Sequence, residues 1–236
     1  MLIAFSLGCN KDDGSGCFTQ VGDIISEERT VEADFNSIVI NDNAVVYIKQ
    51  GNEYKIEVRG GSKLMQSYIT RFENSRLIIE NKTICKWIRD QNTPFEVNVS
   101  VPHLDSIIFY GYGDIYGDGV IEVDDFVFMT RDGVGDVTMD LIGENLRLIM
   151  HTGATNVNLK GSFNYTYAYS TSYSILNLEE LYVDSGFYVN GGTGNFIVNT
   201  KNYIKAQLNL TGNIYYNQEP FIYVETQLGS GEMIHY

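Results

Sequence analysis

The sequence of 236 residues predicts an all-β fold, a β-solenoid with about 20 residues in each coil. The first observation is composition: 17 Tyr, 12 Phe and 23 Gly stand against 3 Pro. Aromatic residues favour strands and glycine favours tight turns. The second is a short motif that recurs through the second half of the chain. The third is that strand-like runs fill the intervals between its copies.

The repeated motif consists of small residues, then Asp, Asn or Glu, and then an apolar residue. Its copies are GYGDI, GVGDV, GATNV, a degenerate TSYSI, GTGNF, LTGNI and GSGEM. The apolar anchors of these copies are Ile115, Val137, Val157, Ile175, Phe196, Ile214 and Met233, at intervals of 22, 20, 18, 21, 18 and 19 residues. A repeat of this length that cannot bury its own apolar face must stack on its neighbours, as solenoid coils do.

Strand-like runs lie on both sides of the motif. LDSIIFY, FVFMTRD and LRLIMHT end just before a glycine, and VTMDL, VNLKG, FIVNT and IYYNQ begin at or next to an anchor. Each coil is therefore predicted to be a strand, a Gly-containing turn, a second strand and a second turn. Successive coils should lie about 4.8 Å apart in the hydrogen-bonding direction.

The first half of the chain is also rich in strand-like runs but less regular. FNSIVINDNAVVYIKQGNEYKIEVRGG contains three such runs, and SRLIIENK and FEVNVSVPH contain two more. Between them, SKLMQSYITRFEN could form a short helix or an extended insertion, and TICKWIRDQNTP is predicted to be a loop insertion. We assign residues 31–236 to one solenoid domain.

The N-terminus has the features of a lipoprotein signal. Residues 1–8 are apolar or small and end at Cys9, which is the predicted lipidated residue after cleavage. Residues 9–30 are then a flexible tether; a frayed N-terminus without lipid is the alternative. Cys17 and Cys85 could pair in an oxidising compartment, although their spacing does not decide this. The sequence has no Cys/His cluster typical of zinc.

Charge and hydropathy narrow the set of partners. The net charge is -14, and an acidic surface repels phosphate backbones, so we expect no nucleic-acid partner. No segment approaches the roughly 18 continuous apolar residues of a membrane helix, so membrane association is expected only through the lipid anchor. The sequence contains no GxSxG, HExxH or P-loop motif.

The pattern F-x-S-I-V-I-N-x-x-x-V-V-Y-I-K-Q-G, from Phe35 to Gly51, and the repeated G-x-G-D-I turns resemble the head GIN domain of auto-transporter adhesins. The resemblance covers the chain from about Val31 to the C-terminus. It implies a single-stranded right-handed parallel β-helix and an outer-membrane lipoprotein of Gram-negative bacteria, at the cell surface or periplasmic face. NKDDG after Cys9 is similar to the export signal of surface lipoproteins. The fourth turn and the short apolar run before Cys9 depart from the family pattern.

The stretch GDIYGDGVIEVDDF is similar to an EF-hand calcium loop, with Asp114 and Asp118 at ligand positions 1 and 5. Two features argue against such a loop. Tyr116 occupies position 3, where a carboxylate or amide oxygen is needed, and strand-forming residues follow where a helix is needed. We therefore predict that this stretch crosses a boundary between coils.

Coil stacking offers a second possible calcium site, because it would bring Asp114 beside Asp136, with Asn156 next. The strongest enzyme hypothesis is a calcium site at the pair Asp114 and Asp136, with Arg131 as a base. Asp118 is the third candidate calcium ligand. The alternative is that these Asp and Asn side chains cap their own turns through hydrogen bonds to the backbone.

The run FNYTYAYS places Tyr165, Tyr167 and Tyr169 on one side of a predicted strand. Counting back eight residues from each anchor aligns Ile149, Tyr167 and Tyr188 in adjacent coils, on the side that carries charge in LRLIMHT. That side should point outward, which makes these five residues the candidate binding face. Exposed aromatic ladders stack on sugars or contact proteins. The alternative is a ladder that only stabilises the sheet, and a register error of one residue would exchange the two sides.

These observations predict a non-enzymatic envelope protein that binds through an extended solenoid face. The expected partners are glycans or envelope or host proteins, without a cofactor. One alternative is a calcium-assisted carbohydrate-active β-helix enzyme similar to polysaccharide lyases. The other is a purely structural envelope protein.

Overall fold

The computed structural model describes residues 20–84 and 95–236, which form a β-solenoid, as the sequence predicts. Apart from a 3₁₀ turn at Met65–Ser67, the regular structure of the described residues is all strand. The strands are β1 Ile24–Arg29, β2 Ser37–Ile40, β3 Val45–Gln50, β4 Lys55–Gly61, β5 Tyr68–Glu73, β6 Arg76–Asn81, β7 Phe95–Val101, β8 Ser106–Phe109, β9 Ile115–Glu122, β10 Asp125–Thr130, β11 Gly133–Met150, β12 Gly153–Ser170, β13 Leu176–Asn190, β14 Phe196–Leu208, β15 Ile214–Tyr216, β16 Phe221–Gln227 and β17 Met233–His235. No helix in the described ranges is long and apolar enough to cross a membrane.

The coils build two parallel sheets. The anchor sheet contains β3, β7, β9, the first parts of β11 to β14, β15 and β17. The aromatic sheet contains β2, β6, β8, β10, the last parts of β11 to β14 and β16. Strands β11 to β14 are long because each of them continues from the anchor sheet into the aromatic sheet.

The predicted anchors are aligned across successive coils, with one exception. Val137 pairs with both Ile115 and Val157, and Ile214 pairs with Phe196 and Met233. The aligned residue of the fourth coil is Leu176, so the prediction of Ile175 is wrong. Successive side chains of a strand point to opposite sides, and Ile175 therefore lies outside, 46% exposed.

Close approach of neighbouring coils explains the glycines of the repeated turn. Gly135 and Gly153 have φ angles of +143° and +101°, which favour glycine. A Cβ atom on Gly135 would lie 2.0 Å from the carbonyl oxygen of Gly113, and one on Gly153 would lie 2.2 Å from that of Gly133. The turns can therefore stack only if these positions carry no side chain.

The core lies between the two sheets and takes alternate residues from each strand. From the anchor sheet it takes the aligned anchors, and from the aromatic sheet it takes residues such as Phe128 and Leu148. Each fully buried Leu, Ile or Phe contributes about 1.5–3 kcal/mol relative to an exposed position. A continuous row of such residues holds the coils together.

Tyr188 belongs to this core, and its predicted place on the outer face is wrong. It is 0% exposed and is aligned with Ala168 and Ala206 in the adjacent coils. These small neighbours leave room for the ring, as does Gly186, where a Cβ atom would lie 2.4 Å from the ring. The Tyr188 hydroxyl is 2.6 Å from Oγ1 of Thr200, so its polar atom has a partner.

The misplacement of Tyr188 arises from turns of unequal length. Leu148 points inward nine residues before its anchor Val157, whereas Tyr188 points inward eight residues before its anchor Phe196. A fixed count of eight therefore aligns the inward Tyr188 with the outward Ile149. Ile149 is in fact aligned with Tyr169.

The spatial order of the first coils differs from their order in the chain. β2 pairs with β6 on one side and β8 on the other, and β3 pairs likewise with β7 and β9. The first coil in the sequence, with β2 and β3, is thus an inner coil. The chain builds the outer coil next, with β6 and β7, and then crosses to the third, with β8 and β9. Sequence periodicity cannot reveal this arrangement, because an apolar strand-like run does not record which other strand it pairs with.

Antiparallel strands cover the N-terminal end of the solenoid. β4 pairs antiparallel with β7, β1 pairs antiparallel with β4, and β5 pairs antiparallel with β6. β1, Ile24–Arg29, lies within residues 9–30, the predicted flexible tether, so that part of the prediction is too long. The side chains of β1 are largely exposed, with no buried apolar side. Backbone hydrogen bonds to β4 hold the strand in place.

The stretch that is similar to a calcium loop crosses a coil boundary, as predicted. Its first part is β9 in the anchor sheet, and its last two residues begin β10 in the aromatic sheet. The helix that an EF-hand needs after its loop is replaced by the strand β10.

Candidate functional site

The outer surface of the aromatic sheet carries a contiguous group of aromatic side chains, which we call the aromatic face. Alternation along β12 turns Tyr165, Tyr167 and Tyr169 outward, while Thr166 and Ala168 point into the core. The aromatic face continues through the next three strands of the sheet with Phe187, Tyr203, Phe221 and Tyr223.

The structure brings together four of the five residues predicted for the binding face. Tyr165, Tyr167 and Tyr169 lie side by side along β12, and Ile149 lies next to Tyr169 on β11. Tyr188 is buried and takes no part. The sequence prediction did not include the other four aromatic residues, Phe187, Tyr203, Phe221 and Tyr223. The alternation of residue types in SGFYV, NYIKA and FIYV could have identified them.

Neighbouring rings of the aromatic face touch. The ring centroids of Tyr167 and Phe187 are 5.5 Å apart in an edge arrangement, and those of Tyr203 and Phe221 are 5.9 Å apart and nearly parallel. Tyr165 and Tyr203 are 40% and 36% exposed, and Phe221 on the last strand of the sheet is 70% exposed. Ring faces and edges are therefore available to a partner along the length of several coils.

Two cations are placed among these rings. Nζ of Lys205 lies 4.6 Å from the centroid of Phe187 and forms an ion pair with Glu225 at 2.8 Å. Arg147 is aligned with Tyr167 on the neighbouring strand, and both line a shallow depression with Tyr165 and Asn145. The aromatic face thus combines apolar rings with positive charge on a chain that is acidic overall.

The hydroxyl of Tyr167 stays neutral. Burial, followed by the neighbouring Tyr169 and Tyr165, raises the pKa of Tyr167 above the ordinary value of a phenol. The group therefore remains a hydrogen-bond donor at physiological pH.

The repeated Asp and Asn of the turns connect one coil to the next rather than capping their own turn. Oδ1 of Asp114 accepts a hydrogen bond of 2.9 Å from the backbone N–H of Asp136, and Oδ1 of Asn156 accepts one of 3.1 Å from that of Ile175. Two later coils repeat the bond, from Asn213 N–H to Asn195 Oδ1 and from Glu232 N–H to Asn213 Oδ1. This ladder gives the motif a structural role.

The three carboxylates of the calcium hypothesis do not form one site. Asp114 and Asp136 are neighbours in the ladder, and Oδ2 of Asp114 also accepts a hydrogen bond of 3.1 Å from the Tyr116 hydroxyl. Within residues 20–84 and 95–236, no group of three or more His, Cys, Asp or Glu side chains is placed to hold a metal ion. Asp118 therefore does not join the pair. Arg131 has no carboxylate within 4 Å in the same ranges.

The histidines lie at separate places in the fold. His103 borders a depression at the corner before the aromatic sheet, whereas His151 follows the end of that sheet and its ring packs against Tyr169. His235 is in the last coil, 3.6 Å from Glu219. The coils thus do not bring the three histidines to one site.

The predicted lipidation site, Cys9, lies outside the described residues, as do Cys17 and Cys85. The predictions of a lipid anchor and of a possible disulfide therefore stay predictions.

Solved structures share the fold. One named a putative adhesin from Bacteroides fragilis NCTC 9343 has 18% identity and a TM-score of 0.81, covering 91% of this chain and 97% of that one. Another, named a putative lipid binding protein from Parabacteroides distasonis ATCC 8503, has 15% identity and a TM-score of 0.68, covering 91% and 97%. A putative adhesin from Parabacteroides merdae ATCC 43184 has 16% identity and a TM-score of 0.64, again covering 91% and 97%. At such identities the similarity shows the fold alone.

Among curated proteins, none matches this chain significantly. A family model does match it, over residues 34–220, with the description "Putative auto-transporter adhesin, head GIN domain". These residues are most of the chain and include the pattern from Phe35 to Gly51 on which the resemblance rested. This chain therefore belongs to the head GIN domain family.

Proposed function

We propose that this protein is a non-enzymatic, adhesin-like binding protein of the cell envelope that contacts its partners through the aromatic face. The observation that carries the proposal is the continuity of outward aromatic residues over β12, β13, β14 and β16. An ordinary sheet surface exposed to water would carry mainly polar residues at these alternate positions.

The physical basis of binding is many shallow contacts on a rigid, repetitive surface. Successive strands of a sheet are about 4.8 Å apart, so the sheet holds the rings at fixed separations, in rows that Ser185 and Lys205 interrupt. Aromatic ring faces stack on the apolar sides of sugars and pack against protein side chains. The charge of Lys205 is balanced by Glu225, whereas Arg147 adds positive charge that favours partners with carboxylate, sulfate or phosphate groups. Glycans and envelope or host proteins both fit this description.

We also propose that the protein is lipid-anchored at the outer membrane through Cys9, facing the cell surface or the periplasm. The apolar residues 1–8 before Cys9 and the family of envelope adhesins support this. Metabolic labelling with a palmitate analogue should label the chain and fail to label a Cys9→Ser variant. Equal labelling of the variant would refute the anchor.

The binding proposal is tested on an array of glycans and host matrix proteins, with calcium and with a chelator. We expect calcium-independent binding by the wild-type protein, and its loss in a variant with Tyr165→Ala, Tyr167→Ala and Tyr169→Ala. Truncation of an aromatic hot-spot residue of an interface to Ala typically costs about 2 kcal/mol or more, so removal of three should abolish measurable binding.

A matched variant tests whether the position of the tyrosines matters. Tyr110, Tyr112 and Tyr173 are exposed beside the repeated turns, outside the aromatic face. Their triple replacement by Ala should leave binding unchanged, and thermal unfolding of both variants verifies that they fold. Equal loss in both would argue against the aromatic face. Glycan cleavage that disappears with chelator or with Asp114→Ala would instead show an enzyme.

A further inference from the structure

A second concave site lies on the outer surface of the anchor sheet, near its N-terminal end. It is a depression of about 280 Å³ over three neighbouring strands, with β7 between β3 and β4. Ser100 on β7 is aligned with Lys49 on one side and Lys55 on the other. Short side chains on the middle strand and long ones on its neighbours create the depression.

One wall of this depression is an oriented aromatic ring. The ring of Tyr47 is stacked on that of Tyr116, with centroids 5.4 Å apart and an angle of 20° between the planes. Tyr47 is aligned with Asn98 on its other side, so its second ring face is turned toward the depression. The Tyr116 hydroxyl donates a hydrogen bond of 3.1 Å to Asp114, which holds the stack in place.

The burial of Tyr116 keeps this arrangement stable over the physiological pH range. Burial first, and then the hydrogen bond to Asp114, raises the pKa of Tyr116 above its ordinary value. The hydroxyl therefore stays protonated and continues to donate to the carboxylate.

The depression has both positive charge and hydrogen-bond acceptors, because two lysines and two carboxylates line it. Nζ of Lys55 forms an ion pair with Glu28 at 3.2 Å. Lys49 has no carboxylate within 4 Å in the part of the chain that the structure describes. Lysines recognise a carboxylate as point charges. Glu57, Asp118 and Asn98 also line the depression and can accept hydrogen bonds from sugar hydroxyls.

We propose that this depression binds a carboxylated sugar residue of the uronic or sialic acid type. The sugar carboxylate lies between Lys49 and Lys55 above Ser100, the ring packs on the free face of Tyr47, and the hydroxyls donate to Asn98 and the rim carboxylates. The volume suits one sugar residue of a chain that extends beyond the open depression. This site is on a different sheet from the aromatic face and does not depend on the function proposed above.

The test is calorimetric titration of the purified protein with a panel of oligosaccharides that contain galacturonate, glucuronate or N-acetylneuraminate. Each acidic sugar is paired with its methyl ester, which keeps the ring and hydroxyls but removes the charge. We expect one acidic member to bind about tenfold more tightly than its ester, as is usual for one charge-assisted hydrogen bond. Added salt should weaken this binding. Equal affinity for acid and ester, or no binding by any member, would overturn the proposal.

Variants locate the site. Lys49→Gln and Tyr47→Ala should each weaken binding of the acidic sugar by about tenfold. Lys160→Gln is the matched control, because Lys160 lies on the outside of β12 and pairs with Glu180 at 2.9 Å, away from the depression. It should bind as the wild type does. The triple Ala variant of Tyr165, Tyr167 and Tyr169 should also retain binding. If that triple variant lost acidic-sugar binding while Lys49→Gln kept it, the sugar would be bound by the aromatic face instead of the depression.

Discussion

At the scale of single residues, Tyr188 shows how a solenoid core accommodates a polar aromatic side chain. The ring fits because Ala168 and Ala206 are its neighbours in the adjacent coils, and the hydroxyl is satisfied by Thr200 at 2.6 Å. Burial raises the pKa of Tyr188 far above its ordinary value, so the hydroxyl stays neutral. The residue is thus structural and contributes no surface for binding.

Replacement of this hydroxyl tests its role. Tyr188→Phe leaves the buried Thr200 hydroxyl without this partner, and we expect the free energy of unfolding to fall by about 1–3 kcal/mol. In the double variant Tyr188→Phe with Thr200→Val both polar groups are gone, so most of the loss should be recovered. Urea unfolding followed by circular dichroism measures both. A double variant that is less stable than Tyr188→Phe would show that the pair is not the cause.

At the scale of the repeated element, the ladder of Asp and Asn side chains is interrupted in one coil. Position 175 is aligned with Asn156 and Asn195, but it carries an isoleucine that is exposed and has no oxygen to accept the next backbone N–H. This coil contains the degenerate motif TSYSI, after which Leu176 rather than the predicted Ile175 is the aligned residue. The substitution of Ile175 for the usual Asp or Asn thus both makes the motif irregular and interrupts the ladder.

Restoring the ladder should stabilise the protein. Ile175→Asn places an amide oxygen where Asn195 N–H can donate to it, as Asn213 N–H donates to Asn195. One hydrogen bond contributes about 0.5–1.5 kcal/mol net to the free energy of unfolding. For a domain of this size, each kcal/mol raises Tm by roughly 2–4 °C. Ile175→Ala, which also removes the exposed apolar side chain, is the control. If its Tm equals that of Ile175→Asn, the ladder bond contributes nothing.

At the scale of the whole molecule, the N-terminal end of the solenoid is closed by antiparallel strands. β1 covers the edge of β4, so the backbone groups of β4 are paired on both sides. An uncovered strand edge offers unpaired N–H and C=O groups to another chain. β1 itself is then the outer strand, and its charged side chains Glu27, Glu28 and Arg29 discourage edge-to-edge association.

Removal of β1 should reveal this protection. A variant that lacks residues 1–30 exposes the edge of β4 from Ile56 to Gly61, and we expect concentration-dependent association in size-exclusion chromatography with light scattering. A variant that lacks only residues 1–19 keeps β1 and is the matched control. If both variants remain equally monodisperse at every concentration, the protective role of β1 is excluded.

The sequence by itself determined the β-solenoid, the family, and the alignment of six of the seven predicted anchors. It could do so because a buried apolar residue beside a glycine turn must recur once in every coil. It also placed Tyr165, Tyr167 and Tyr169 together, since alternation within one strand requires no knowledge of its neighbours. Only the tertiary structure decided which rows align between coils. The inward residue precedes its anchor by nine residues in one coil and by eight in another, which exchanges inside and outside, as Tyr188 shows. The order of the first coils and the depression at Lys49 likewise depend on pairing between distant segments, which periodicity does not record.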